Sequence, residues 1–544
     1  MTCSSSTICR RKPMRSPSKH LGAALALLLL AGAMPVRGDA SGDALDAALA
    51  KARAALAKGD GIAAEAPLRS AVRSGAAADT VRAELGEALL LQGDRREARK
   101  LLYGGDFISE SAAHGWHLRG RLELAEGRLP EAGRAFDQAL RLDGNNATLW
   151  IDIARLRFSG GEQAQAIDAA DRAVQLNPKD PRALELRGLL IREQFGLFAA
   201  LPWFEAGLQV APNDVGLLSE YAATLGDMGQ YRAMLVVCRK LTSVDPGNVR
   251  ALYLQAVLAA RAGQTTLARK ILQQTGTALR DVPAVVLLNG ILEYRAGNGN
   301  LAVGHFNRLV RMQPDNLQAR MLFVRALSRQ GLNAEAVEAA GLWVKQGFAP
   351  PYLLASTGQA YLAIGRKVEG AAMLARADDL GERPAQPIPP AQSLGALAIS
   401  YADAPNFAGN AVPYLRGLIS AGEGPRAKSV ADRLRLANPG AVDAWLLSAD
   451  TRMALGDRLG ALDMYGRAAM IRFNLPTLLR IDHAMRALGR PADANAMVAR
   501  YLRQNPGNPQ ALKLLAYGRT AVSDDVGAAR IEAVLQARAL RNPS

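Results

Sequence analysis

His114 and His117 lie three residues apart, a spacing that puts two imidazoles on one helix face within reach of one metal ion. No third ligand stands nearby, and two histidines alone hold a metal weakly. Both are read as solvated side chains. Asp378-Asp379 and Asp524-Asp525 are adjacent pairs. Neighbours on a helix point apart, so neither pair forms an acid/base couple. Cys3 and Cys9 precede an apolar run near the start, which leaves Cys238 alone, read as a small buried apolar residue. The chain has no glycine-rich phosphate loop with lysine, no paired-cysteine metal site and no nucleophile-elbow sequence. It is therefore read as non-enzymatic, with no cofactor and no metal.

The organising signal is a spacing. Gly59, Gly93, Gly127, Gly161, Gly229, Gly263, Gly297, Gly331 and Gly365 share one 34-residue grid, broken only where Phe195 precedes Gly196. Ala64, Ala98, Ala132, Ala166, Ala200, Ala268, Ala302 and Ala336 lie five residues after the glycine slot, and a small residue usually lies seven before it, as at Gly86, Gly120 and Gly188. Pro178, Pro212, Pro246 and Pro314 form a further grid. The spacing predicts a helix A of about fourteen residues, ended by a glycine in the left-handed conformation. Helix B follows and stops before the proline, which cannot continue it. Each hairpin is amphipathic and buries its apolar face only by stacking on its neighbours.

Trp116, Gly120, Gly127, Ala132, Phe136 and Ala139 in one unit, and Trp150, Ala154, Gly161, Ala166, Ala173 and Pro178 in the next, resemble the tetratricopeptide repeat pattern. The pattern's leucine is replaced at Arg119 and Arg187, a departure expected to loosen those units. Phe195, Phe198, Trp203 and Phe204 cluster where the grid slips and are read as a locally repacked core, with Pro202 expected to bend its helix. The resemblance implies an all-α superhelical solenoid of about fourteen helix-turn-helix units, with a linker between two arrays.

Units 1 to 10 begin near 45, 79, 113, 147, 181, 215, 249, 283, 317 and 351, giving an array over 45–380. A proline-rich linker covers 381–407, with room for a short helix over Ser393–Tyr401. Units 11 to 14 fill 408–542, and the last lacks its glycine and carries Ser523-Asp524-Asp525, read as a terminal cap.

Residues 1–40 read as a signal peptide: Arg10, Arg11, Lys12, Arg15 and Lys19 precede the apolar run Leu21–Ala33. The chain is then expected to be exported and periplasmic; a leader left uncleaved makes it membrane-anchored. The net charge of the whole chain is +16, and removing residues 1–40 takes six basic residues and Asp39, leaving +11. A basic surface favours acidic protein segments, anionic polysaccharide or membrane headgroups, the last by peripheral association. Nucleic acid is not an expected partner outside the cytoplasm.

By the resemblance, slots 2, 5, 9, 12 and 13 of helix A line an inner, concave face. Over the first ten units these slots hold ten arginines and five acids. Half of the arginines fall in units 7 to 9, where those slots hold no acid: Arg250, Arg261, Arg295, Arg325 and Arg329, with Tyr253 and Tyr294 among them. Arginine offers a planar fork to carboxylates, and tyrosine offers rigid contact area. These seven residues are the candidate partner-binding groove. The function expected by analogy is a protein-protein interaction scaffold of the bacterial envelope, for exopolysaccharide synthesis and export or outer-membrane and secretion machinery. The alternatives are an adaptor in cytochrome c maturation or pilus assembly, and a glycan-binding solenoid or accessory subunit of a glycan-modifying enzyme.

Overall fold

In the computed structural model, residues 40–314, 316–345, 349–378 and 392–541 are described; the leader lies outside them, as do Asp379 and the linker up to residue 391. The described residues form 29 α-helices and one 3-10 helix, with no strand. Fourteen antiparallel hairpins account for 28 of the α-helices, from Ala40–Leu56 with Gly61–Arg73 to Pro509–Thr520 with Asp525–Arg541. The remaining one, Leu394–Asp403, is capped by Ser393 and packs on unit 11.

The glycine grid ends helix A in twelve of the fourteen hairpins as its spacing requires. Twelve glycines at these turns have φ between +70° and +82°. In unit 14 Ser523 takes this conformation itself, at φ 61°, the one non-glycine with positive φ among the described residues. Asp524 then caps the last helix through Gly527 N–H at 2.9 Å and pairs with Arg519 at 2.6 Å. Helices B end two residues before Pro178, Pro212, Pro246 and Pro314. The helix Leu197–Val210 runs through Pro202 without ending.

A second grid starts helix A. Asn146, Asp180, Asp214, Asn248 and Asn316, then Asn474 and Asn508, each accept a backbone N–H of the first helical turn. Trp150 and Trp445 tie the preceding turn, donating Nε1–H to Gly144 and Pro439 carbonyls at 2.9 and 2.7 Å.

The core forms where the small residue of helix A faces a large one on helix B. The Phe136, Phe204 and Phe306 rings lie over Gly120, Gly188 and Gly290, where any Cβ would strike them. Arg119 and Arg187 do not loosen their units. Arg119 is buried, donates to the Leu102 and Gly105 carbonyls at 2.8 and 2.9 Å, and lies 4.5 to 4.9 Å from the Tyr103, Phe107 and Trp116 rings. Arg187 pairs with Asp171 and lies over Trp203. The aromatic cluster at the grid slip is only half core: Phe204 is fully buried, whereas Phe195 and Phe198 are exposed.

Successive A helices touch through units 1 to 8 and again from unit 9 to unit 10, in addition to their own B helices. Crowding of the A helices puts them on the inner side of the curve.

Candidate functional site on the inner face

Through units 2 to 6 each arginine of the inner face meets a carboxylate, Arg121 and Arg192 on a neighbouring unit and Arg155 and Arg182 within three residues of their own position. Glu87 lies 2.9 Å from His114 Nε2 and 3.7 Å from Arg121. The buried Asp152 lies 2.9 Å from His117 Nε2, 3.0 Å from Arg155 and 3.6 Å from Arg121. The two histidines thus serve different carboxylates. Burial pushes both carboxyls up. The histidine hydrogen bonds and the arginine charges outweigh it and hold Glu87 and Asp152 below the usual carboxylate range.

Glu220 on unit 6 closes this ladder. It is buried and accepts from Arg192 at 3.1 Å and from Arg250. Arg192 also donates to Thr224 Oγ1 at 3.1 Å. Glu220 occupies the sixth slot of its helix, outside the five slots taken as exposed, so reading those slots alone missed the partner of Arg250. A glutamate among the apolar residues Leu217, Leu218 and Ala222 was the available signal.

Beyond Arg250 the face changes. Arg261 donates to Tyr231 Oη at 2.7 Å and lies 5.3 Å from that ring. Asp227 and Tyr253 lie close to it, and burial raises both their pKa values. Arg295 donates to the Ala260 carbonyl at 2.8 Å. Arg325 and Arg329 both lie over the Tyr294 ring, at 5.3 and 4.7 Å. Neither Arg295 nor Arg329 pairs with a carboxylate among the described residues. The structure thus joins Tyr294, Arg325 and Arg329 into one basic-aromatic cluster and sets Arg261 and Tyr253 together one unit before. Arg250 belongs to the neutralised ladder instead. A guanidinium over an aromatic ring is attracted by the ring face and retains its planar N–H donors.

No helix among the described residues is long and apolar enough to cross a membrane. Cys238 is fully buried, and burial pushes its thiol up to about 11, so it is not poised to react.

Fold and face together define a helical-hairpin solenoid with charged and aromatic side chains along its inner surface. Two profiles described as tetratricopeptide repeat match residues 123–190 and 287–347 of this chain. A cytochrome c-type biogenesis protein, CycH of Pseudomonas aeruginosa, is 32% identical over 106 residues, covering 19% of this chain and 26% of that protein. The match thus spans about a quarter of that relative's length. Cut9, from the APC/C hetero-tetramer Cut9–Hcn1, is 13% identical over 87% of this chain and 96% of its own, with a TM-score of 0.34. PilF of Pseudomonas aeruginosa is 16% identical over 42% of this chain and 99% of its own, with a TM-score of 0.34.

Proposed function

We propose that this protein is a scaffold of the bacterial envelope that binds an acidic segment of a partner protein on the inner face of units 7 to 9. The observation that carries the reading is the pair of guanidiniums on one tyrosine, Arg325 and Arg329 on Tyr294. The preceding units satisfy their own arginines and have less to offer an anion. The leader sequence supports export, and the net positive charge supports an acidic partner. The assembly served is read as exopolysaccharide export or outer-membrane and secretion machinery. A second reading, an adaptor in cytochrome c biogenesis, is favoured by the 32% identity with CycH.

The test is in-cell crosslinking and affinity capture with the full chain and with Arg295→Glu/Arg325→Glu/Arg329→Glu. Envelope proteins captured by the native chain and lost by the variant support the groove, and cytochrome c assembly factors among them favour the second reading. Equal capture by both chains overturns it.

A further inference from the structure

The C-terminal array returns onto the first one. Its contacts fall on the turns between helices A and B of units 4, 5 and 6, in step with the turns that join units 11 to 14. In unit 4, Ala164 N–H donates to the Gly440 carbonyl at 3.1 Å, and Val442 N–H donates to Gln163 Oε1 at 3.2 Å. These two N–H groups open helices Gln163–Leu176 and Val442–Ala454, neither of which has a side-chain cap of its own. Each array supplies the cap that the other lacks. In unit 5, Leu197 N–H, at the start of a helix whose cap residue is Gly196, donates to Asn505 Oδ1 at 3.4 Å. Phe473 N–H donates to the Gln194 carbonyl at 3.3 Å, and Gln194 Nε2 donates to the Met470 carbonyl at 3.2 Å. In unit 6, Gly507 approaches the Met228 carbonyl.

The one slip in the glycine grid sits in this seam. Gly196 takes φ +126° and ψ −177° instead of the conformation of the other turns. A Cβ there would lie 2.7 Å from Gln504 Cβ. The departure at Phe195-Gly196 therefore opens the unit 5 turn to the second array.

We propose that the turns of units 4 to 6 are a docking surface for this chain's own C-terminal array, which latches units 4 to 12 into one closed superhelical turn. The occupant is set by the reciprocal caps and by the matched advance of units 4, 5, 6 against the junctions after units 11, 12, 13. On the function proposed above, the inner face of units 7 to 9 then lies inside a closed turn, and its ligand reaches it as an extended chain rather than a folded domain.

The experiment measures spin-label distances between Asp168→Cys and Asp463→Cys in the full chain with its three native cysteines replaced by alanine. The native seam gives one narrow distance at all protein concentrations. Gln163→Ala/Asn505→Ala loses that single peak while its helical circular dichroism is unchanged. A broad distribution in the native seam, or a narrow peak kept by the folded double variant, overturns the proposal. A narrow peak that appears only at high concentration makes a second copy the occupant and also overturns it. Should the double variant misfold, amide exchange in the native chain decides the question. Ala164 and Leu197 open their helices, where N–H groups ordinarily exchange fast, and a docked array protects them; fast exchange at both overturns the latch. Arg325→Glu separates the two readings: it weakens ligand binding and leaves the distance unchanged.

Discussion

Units 3 and 8 are built on one core and carry different faces. In each, a helix A glycine, Gly120 or Gly290, receives a helix B phenylalanine, Phe136 or Phe306. On the inner side, unit 3 contributes His117 and Arg121 to a buried carboxylate of unit 4, whereas unit 8 contributes Tyr294 to two arginines of unit 9. The same scaffold thus presents carboxylate-paired arginines in one place and arginines over a tyrosine ring in another. In a solenoid the core positions are fixed by stacking, while the inner slots vary without changing the fold.

The comparison breaks if the two cores are not equivalent. Phe136→Ala and Phe306→Ala each remove a fully buried ring, and each is expected to cost about 3–5 kcal/mol, measured by denaturant unfolding. A loss confined to one of them would mean that the two regions differ in packing as well as in surface. Asp152→Ala comes next, at about 3 kcal/mol, because it leaves His117 and the flanking arginines without their shared acceptor. It should leave acidic-peptide binding unchanged, which separates the structural ladder from the binding region.

A smaller effect sharpens the boundary between them. Glu220→Gln takes the countercharge from Arg192 and Arg250. It is expected to cost about 1 kcal/mol of stability and to raise affinity for an acidic peptide by a few fold, read by titration calorimetry. The smallest effect is on pH dependence. Glu87 and Asp152 have folded pKa values below their unfolded ones, about 4.3 and 3.9. Their stabilisation is complete above those unfolded values and is lost as pH falls through the folded values. Amide exchange should therefore show units 2 to 4 opening at acid pH as these carboxyls protonate, and unit 8 loosening in the same direction, because the Arg269 hydrogen bond holds Glu293 low as well.

The repeat was legible because it rests on backbone requirements. A helix-ending turn needs positive φ, and glycine supplies it at twelve turns where the spacing put it. The capping grid was equally regular and went unread, since Asn146, Asp180, Asp214, Asn248 and Asn316 differ in type and share only a short polar side chain. Charge pairing was less legible. The acid that satisfies Arg250 lies 30 residues away at a buried slot, so counting exposed slots could not reveal it. Arg119 looked like a lost leucine in one dimension, and three rings and two carbonyls make it a core residue in three. The seam was visible only as a one-residue slip, because its partners stand some 280 to 310 residues apart.

The most direct measurement is the affinity of a glutamate-rich peptide for three chains: the native one, Arg325→Glu/Arg329→Glu, and Arg121→Glu/Arg155→Glu. Both variants reverse two charges, so a general charge effect weakens them alike. The account predicts a loss of about 2 kcal/mol or more, roughly 30-fold, for the first variant and a few-fold change at most for the second. Equal losses, or a larger loss in the second variant, would contradict the placement of the binding region in units 7 to 9.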